Sequence, residues 1–314
     1  MTLRGLRLTL SVAIAATLAP AGCGSSVSGP VGAAGALPAP SGTLVIALPG
    51  RPGTLDPLLA ATSSQELLAR QLYEPLAETL TGPYDDLRRV AGPARSVRGS
   101  SNAEIWRVRL RPGIKFQDGS RLDAAAVLAN AVRWRATPAG RALLPGLTAA
   151  DSPRPDLVRF FLDRSDPRFR ARLASPRLGL VSPNALASAG GPGGGRAGSG
   201  PFELRQRSAG QVVIARNASW WGTGRRLGPA LDTVELDYVP GAAARAKLVR
   251  TGQAQIATAL TSTLAASLAR DPLISVRGHG TTGFTALERS VRGVGFAGRA
   301  PALSGAWLTT IGAG

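Results

Sequence analysis

One continuous run, from Trp106 to Gly119, constrains the fold more than any other part of this sequence. Its first residues read Trp-Arg-Val-Arg-Leu-Arg, so apolar and arginine side chains alternate. Because successive side chains of a strand point to opposite faces, the alternation predicts a β-strand with one buried and one charged face. Pro112 ends this strand, and Asp118 followed by glycine is a turn signal. The run therefore predicts a strand, a break and a tight turn, in this order.

A helix is predicted directly after that turn. Asp123 is suited to be its N-cap, because an aspartate side chain accepts a hydrogen bond from a free backbone N–H of the first turn. Val127, Leu128, Ala131 and Val132 recur at helical spacing. We expect these four apolar side chains to form the buried stripe of the helix.

Other elements follow from shorter patterns. The apolar run 42–48 predicts a buried strand, and 157–162 predicts another strand. Ser63-Ser-Gln-Glu66 has the form of a capping box and predicts the start of a helix. A turn at 208–210 predicts a hairpin. The glycine-rich segment 190–200 lacks a Gly-Lys-Ser ending, so we interpret it as a flexible surface loop and not as a phosphate-binding loop.

Residues 106–134, WRVRLRPGIKFQDGSRLDAAAVLANAVRW, resemble the signature of the extracytoplasmic solute-binding proteins, family 5, of ABC importers. This family includes dipeptide-, oligopeptide- and nickel-binding proteins. Three further segments are similar to family phrases: the opening strand and turn at 42–57, the GSGPF segment with the following strand at 198–222, and the strand and helix at 231–257. The words YEPL at 73–76 also match.

The resemblance implies an α/β fold with mixed (α+β) sheets, of the periplasmic-binding-protein-like type II. Family members are longer, and in them the segment after the phrase "DIA" crosses a hinge into a second lobe. Here a single helix and a single strand follow residue 257, and 288–308 resembles the family's terminal return strand. We therefore expect essentially lobe I with its subdomain, with lobe II truncated. Such a chain would present half a cleft and bind a ligand more weakly.

The first residues have the pattern of an export signal. Arg4 and Arg7 precede a short apolar core that ends in small residues before Cys23, an arrangement that resembles a bacterial lipobox. The resemblance implies lipidation of Cys23, with a lipoprotein signal peptide at 1–23. Residues 24–41 then form a flexible tether, and 42–314 an incomplete family 5 domain. An ordinary signal peptide with an incidental cysteine is the alternative.

The charge of the chain does not by itself indicate a nucleic-acid partner. The formal net charge is +18, and only Lys115 and Lys247 among the 37 basic residues are lysines. The arginines are spread over the whole length, whereas a nucleic-acid footprint clusters on one face. We interpret them as a solvated coat and expect no nucleic-acid partner.

Few residues could support catalysis or hold a metal ion. Cys23, the sole cysteine, belongs to the signal region, and His279 is the sole histidine, which excludes a catalytic Cys/His pair and any site with several histidines. We interpret His279 as a loop residue. We expect no enzyme activity, no cofactor and no metal site.

The candidate ligand-binding residues lie in loops that border the cleft in the family that this chain resembles. Peptide ligands need backbone donors and acceptors together with flat apolar walls, which glycine-flanked loops and indoles supply. The candidates are Thr54, Leu55, Asp56, Ser199, Gly200, Phe202, Trp220 and Trp221. The structural alternatives are that at least one of the two tryptophans packs in the core, and that Asp56 only caps a turn.

The leading hypothesis is a substrate-binding lipoprotein of an ABC importer. It would lie outside the cytoplasm, anchored to the cell membrane through its lipid or in the periplasm. It would bind peptides or a similar small solute and deliver it to the permease and ATPase subunits. One alternative is a degenerate envelope scaffold with no small-molecule ligand. Another is an arginine-rich surface protein that holds polyanions.

Overall fold

The computed structural model describes residues 42–51, 53–77, 92–189, 191–223, 229, 231–279 and 283–288. The strands are β1 (Thr43–Leu48), β2 (Ala94–Gly99), β3 (Ile105–Leu110), β4 (Leu147–Arg154), β5 (Leu157–Leu162), β6 (Phe202–Arg207), β7 (Gln211–Arg216), β8 (Thr233–Tyr238), β9 (Ile256–Leu260), β10 (Ile274–His279) and β11 (Gly283–Glu288). The helices are α1 (Ser63–Leu72), α2 (Ala124–Ala136), α3 (Pro138–Leu143), α4 (Phe169–Arg172), α5 (Pro183–Ala187), α6 (Ala242–Arg250) and α7 (Ser262–Leu268). Short 3-10 turns lie at Pro57–Leu59, Pro176–Leu178 and Gly191–Gly194.

The described strands form two sheets. Seven strands pair in the order β10-β11-β9-β1-β8-β7-β6, and four pair in the order β2-β3-β5-β4. In the larger sheet β1 is parallel to both of its neighbours, β8 and β9, while the outer pairs are antiparallel. The smaller sheet is antiparallel throughout. The mixed sheets agree with the fold class expected from the sequence.

Both faces of β1 are covered, which explains its continuous apolar sequence. Leu44 and Ile46 pack with α1 residues in one core cluster. Ala47 faces the other way and packs with Ala246 and Val249 of α6. Helix α6 connects β8 to β9, so the crossover between these two strands covers that second face.

The alternation in β3 produces the predicted two faces. Trp106, Val108 and Leu110 are buried, whereas Arg107 and Arg109 are exposed. The buried face packs against α2 in a separate core cluster. The prediction of a strand with one apolar and one charged face is therefore confirmed.

Two details of the helices differ from the sequence-based prediction. Asp123 is the N-cap of α2, as predicted, and its side chain accepts a hydrogen bond from Ala126 N at 3.1 Å. Val132, however, is 65% exposed, whereas Trp134 is buried in the core. The capping box of α1 begins one residue earlier than predicted: Thr62 is the N-cap, and Gln65 completes the box.

Several predictions fall outside the described residues. These are the signal peptide at 1–23 with Cys23, the tether at 24–41, and the return strand at 288–308 apart from Glu288, which ends β11. They stay predictions. The single strand that the sequence predicts after residue 257 is β10. It pairs with a further strand, β11, that the sequence did not indicate.

A buried amide joins α2 to the segment before α5. The Asn130 side chain is fully buried. Its Nδ2 donates to the carbonyl of Val181 at 2.8 Å, and its Oδ1 accepts from the Val181 N–H at 3.1 Å. A single side chain thus satisfies both backbone groups of one residue on another element.

We predict that Asn130→Ala lowers the free energy of unfolding by about 2–4 kcal/mol, because it leaves two buried backbone groups unpaired. Val132→Ala on the same helix is the matched control, since its side chain is largely exposed. It should change the stability by less than about 0.5 kcal/mol. Urea unfolding of both variants measures the difference, and equal losses would contradict the proposed role of Asn130.

Candidate functional site

The site is built around the end of α1, where a loop from each sheet meets that helix. Gln117 lies after β3, in the loop that includes the Asp118-Gly119 turn. Its Nε2 donates to the carbonyl of Phe202 at 2.8 Å and lies 3.4 Å from the carbonyls of Leu72 and Gly200. Its backbone N–H donates to Gly198 O at 2.8 Å. The family phrases around residues 117 and 198 are therefore in direct contact.

Glycines 198 and 200 allow the backbone to approach α1 closely. A Cβ at Gly198 would lie 1.9 Å from the carbonyl oxygen of Leu72, and one at Gly200 would lie 2.4 Å from that of Gln71. Gly200 N also donates to Leu72 O at 3.0 Å. No side chain fits at either position without a shift of the backbone, so packing requires the two glycines of the GSGPF sequence.

The segment 195–200 is not the surface loop that its glycine content predicted. Ala197, Gly198, Ser199 and Gly200 are all buried against the end of α1. The interpretation as a flexible surface loop is thus wrong for the second half of the glycine-rich run. Glycine content reports the conformational freedom of the backbone, which serves close packing as well as flexibility.

Two of the candidate ligand-binding side chains, Ser199 and Phe202, lie inside the protein. Phe202 is 1% exposed and belongs to the core cluster that also contains Leu72 and Tyr73. Ser199 is fully buried, and its hydroxyl has no hydrogen-bond partner among the described residues.

Trp220 and Trp221 are half-buried and are held by the same carboxylate. The Nε1 of Trp220 donates to Glu74 Oε1 at 3.1 Å, and the Nε1 of Trp221 donates to both oxygens of Glu74 at 2.9 Å. The ring centroids of the two indoles are 5.6 Å apart, tilted by 56°. The Arg111 guanidinium lies 5.6 Å from the Trp221 ring centroid, a cation–π contact. Trp221 also packs against the core of the smaller sheet, so part of its ring contributes to the packing of the protein.

The second group of candidates, Thr54 to Asp56, lies in the loop between β1 and α1. Asp56 caps the 3-10 turn that follows, accepting from Leu58 N at 3.0 Å, and forms an ion pair with Arg133 of α2. Thr54 Oγ1 accepts from Asp56 N at 2.9 Å, and the Leu55 side chain is buried. The capping role expected for Asp56 is therefore present, together with an ion pair that the sequence did not indicate.

Tyr73 connects the two groups of candidates. A Cβ at Gly198 would lie 3.0 Å from its ring, and its hydroxyl donates to Pro192 O at 2.9 Å. Burial raises the pKa of its phenol, and the negative charge of Asp56 raises it further, although Arg133 opposes this. Tyr73 is thus a neutral hydrogen-bond donor to the carbonyl of Pro192.

Asp118 holds the turn beside Gln117. Its Oδ1 accepts from Ser120 N at 2.9 Å and from Ser120 Oγ at 2.6 Å, and Asn184 Nδ2 lies 3.2 Å from its Oδ2. Burial raises the pKa of this carboxyl, but the hydrogen bonds from Ser120, Ser182 and Asn184 outweigh burial and lower the pKa overall. The carboxylate form therefore stabilises the turn.

The structure thus distributes the candidates over two depths. Thr54, Asp56, Trp220 and Trp221 are partly exposed, and the other four are buried: Leu55, Ser199, Gly200 and Phe202. Sequence reasoning missed Gln117, Glu74 and Arg133, which position these residues. A signal existed for all three, because each lies in a segment that is similar to a family phrase. A ligand-binding role for any of the candidates stays a prediction.

Comparison with known proteins settles the family. Residues 89–304 match the family described as bacterial extracellular solute-binding proteins, family 5 Middle. The glutathione-binding protein GsiB of Escherichia coli (strain K12) is 30% identical over 220 residues, which cover 68% of this chain. The chain belongs to the family 5 solute-binding proteins. The resemblance noted in the sequence is confirmed.

Solved structures share the fold. The binding protein AgaA from A. tumefaciens R10, in complex with agropinic acid, has a TM-score of 0.67 at 24% identity over 75% of this chain. The periplasmic binding protein DppA from Helicobacter pylori, in complex with the peptide STSA, has a TM-score of 0.64 at 20% identity over 76% of this chain. These confirm the predicted fold class.

This chain spans about half the length, or less, of the proteins to which it is similar. The aligned region spans 41% of GsiB, 47% of AgaA and 51% of DppA.

The described residues hold no group of three or more His, Cys, Asp or Glu side chains that could bind a metal ion. No helix in the described ranges combines the length and the apolar character that crossing a membrane requires.

We predict that Gly198→Ala lowers the free energy of unfolding by more than about 2 kcal/mol, because the new methyl group overlaps the Leu72 carbonyl and a backbone must shift. Gly210→Ala is the matched control, since nothing lies within 4 Å of a Cβ at that turn. Chemical unfolding of both variants checks the prediction. A loss at Gly210 as large as the loss at Gly198 would contradict the packing argument.

Proposed function

We propose that this chain is an extracytoplasmic substrate-binding protein that takes a peptide or a similar small solute. Its membership of the family 5 solute-binding proteins is the observation that carries the proposal. The names of its relatives point the same way: GsiB is a glutathione-binding protein, and DppA holds a peptide. Catalysis is not part of this function.

The arrangement around Glu74 supports a binding role for the two tryptophans. Their indole N–H groups are both engaged by the carboxylate, so the rings are fixed and their remaining exposed surface is apolar. A fixed apolar surface loses little conformational entropy when a ligand packs against it. With the polar backbone of the 53–56 loop, such a surface provides the two kinds of contact that a peptide requires.

The proposed partners follow from the family. We propose that an ABC permease and its ATPase subunits accept the solute from this chain, so that ATP hydrolysis belongs to the partner subunits. We also propose that residues 1–23 are a lipoprotein signal peptide, that 24–41 are a tether, and that Cys23 carries the lipid anchor. The protein would then act at the outer surface of the cell membrane or in the periplasm.

Titration with mixed short peptides tests the binding proposal. We predict a saturable change in intrinsic tryptophan fluorescence, because Trp220 and Trp221 are partly exposed at the candidate site. Replacing both with phenylalanine should abolish most of the signal. Trp134 is buried in the core and should contribute a constant background.

Calorimetry on the double phenylalanine variant separates the loss of a reporter from the loss of a contact. Weaker binding than in the parent supports a ligand contact by the indoles, and unchanged binding removes these two residues from the site. If no peptide in the mixture gives a saturable response in the parent protein, the function itself is contradicted in favour of a scaffold without a ligand.

Substitution of the proposed lipidation site tests the anchor. We predict that Cys23→Ser moves the protein from the membrane fraction to the soluble fraction when cell membranes are washed at high salt, because no thiol remains to carry the acyl chains and salt screens any attraction between charges. Ser25→Ala, two residues away, is the control and should leave the protein with membranes. Retention of the Cys23→Ser protein at the parental level would contradict lipidation.

A further inference from the structure

One face of the four-stranded sheet carries a row of arginines. The register places Arg98 of β2 opposite Arg107 of β3, and Arg107 opposite Arg159 of β5. Arg109 lies two residues along β3 on the same face. The side chains of Arg98, Arg107 and Arg109 are exposed, and Arg159 is partly exposed. We call these four residues the arginine face.

This arrangement is unfavourable for the isolated protein. Side chains directly opposite on neighbouring strands are about 5 Å apart at Cβ, and like charges there repel each other. The row ends in one carboxylate: Asp151 of β4 lies opposite Arg159 and accepts hydrogen bonds from it at 2.7 and 2.5 Å. Within the described ranges, no carboxylate forms an ion pair with the other three arginines.

The larger sheet shows that arginine content alone does not produce such a face. There Arg205 forms an ion pair with Glu203 at 3.2 Å, and Arg216 forms one with Asp232 at 2.9 Å. Strand β8 adds Glu235 and Asp237. The charges on that sheet are therefore interspersed, whereas on the smaller sheet positive charge accumulates. This clustering is what the sequence alone did not reveal.

Apolar side chains lie between the arginines. Ile105 is opposite Phe161, and Leu157 is opposite Arg109; all three apolar residues are partly exposed. The Arg159 guanidinium lies 5.6 Å from the centroid of the Phe161 ring. A surface with guanidinium groups beside aliphatic and aromatic side chains matches the boundary between lipid headgroups and acyl chains. Guanidinium groups bind phosphate through paired hydrogen bonds.

We propose that the arginine face docks on an anionic phospholipid bilayer, with its guanidinium groups on the lipid phosphates. The inference rests on the proposed function in one respect, because that function places the chain outside the cytoplasm beside a membrane. The charge complementarity and the interspersed apolar residues carry it. The repulsion within the row is relieved when each guanidinium meets a phosphate.

Vesicle binding by the full chain carrying Cys23→Ser tests this, since that variant cannot be held by a lipid of its own. We expect it to co-sediment with phosphatidylcholine vesicles that contain phosphatidylglycerol and not with pure phosphatidylcholine vesicles. In the same background, Arg98→Gln, Arg107→Gln and Arg109→Gln together should weaken the partitioning about a hundredfold, at roughly fivefold for each arginine near an anionic surface.

The matched control removes the same charge elsewhere: Arg205→Gln, Arg250→Gln and Arg270→Gln, all exposed positions outside the smaller sheet. It should weaken the partitioning less than about tenfold, through net charge alone. Equal losses in the two triple variants would overturn the proposal, as would equal binding of neutral and anionic vesicles. Duplex DNA bound more tightly than the anionic vesicles, through the same three arginines, would overturn it in favour of a nucleic-acid surface.

Peptide titration of the same samples keeps the two proposals apart. The arginine triple variant should keep the parental tryptophan response, because none of its three positions lies in the candidate ligand site. Loss of that response together with vesicle binding would indicate damage to the fold and overturn a specific role for these arginines. Vesicle binding that depends on the arginines in a chain without any peptide response would contradict the solute-binding function and support the docking face.

Discussion

The position of the candidate site depends on the amide of Gln117. Its Nε2 donates to the Phe202 carbonyl at 2.8 Å, and its backbone N–H donates to Gly198 O at 2.8 Å. Gln117 follows a strand of the smaller sheet, whereas Phe202 begins a strand of the larger one. The amide is buried, so losing a partner would leave a polar group unsatisfied at a cost of about 1–3 kcal/mol. This directional bond fixes where the loops of the two sheets meet, which apolar contacts alone would not specify.

Local periodicity determined the parts of the fold that the sequence predicted well. Strand β5 has the predicted bounds, and β3 buries the predicted apolar face, because alternation with period two leaves only one register that buries the apolar set of β3. Helical periodicity predicted less well which side chains of a helix are buried. Val132 has the spacing of a core residue but is exposed, whereas Trp134, two residues further on and on the other side of the helix, is buried. The choice between them depends on the shape of the facing sheet, which helical spacing does not report.

The candidate site was predictable only in part, because its contacts join residues that are far apart in the sequence. Residue type and position in a family phrase indicate Trp220 and Trp221 as candidates. Glu74, which fixes both, is 146 and 147 residues away in sequence, and no local pattern links it to them. Glycine content wrongly predicts flexibility at 198 and 200 for the same reason: their neighbour, the end of α1, is remote in sequence. Long-range polar contacts and close backbone approaches have no periodicity to detect.

At three places in the fold, a buried polar side chain forms hydrogen bonds with the backbone of another segment. Asn130 satisfies both backbone groups of Val181, Gln117 satisfies carbonyls at the start of β6, and Arg245 of α6 donates to four carbonyls at distances of 2.7–2.9 Å: those of Val239, Pro240, Thr258 and Ala259. Burial lowers the pKa of the Arg245 guanidinium, so the four carbonyls compensate a real desolvation cost. Hydrophobic packing is non-directional and would tolerate small shifts of one element along another. These hydrogen bonds instead favour one relative position of the two segments that they join, because a shift would break them and leave buried polar groups unpaired. Among the loops that we propose to contact a ligand, the segment 198–202 is positioned in this way by the buried amide of Gln117, while the apolar cores supply the stability.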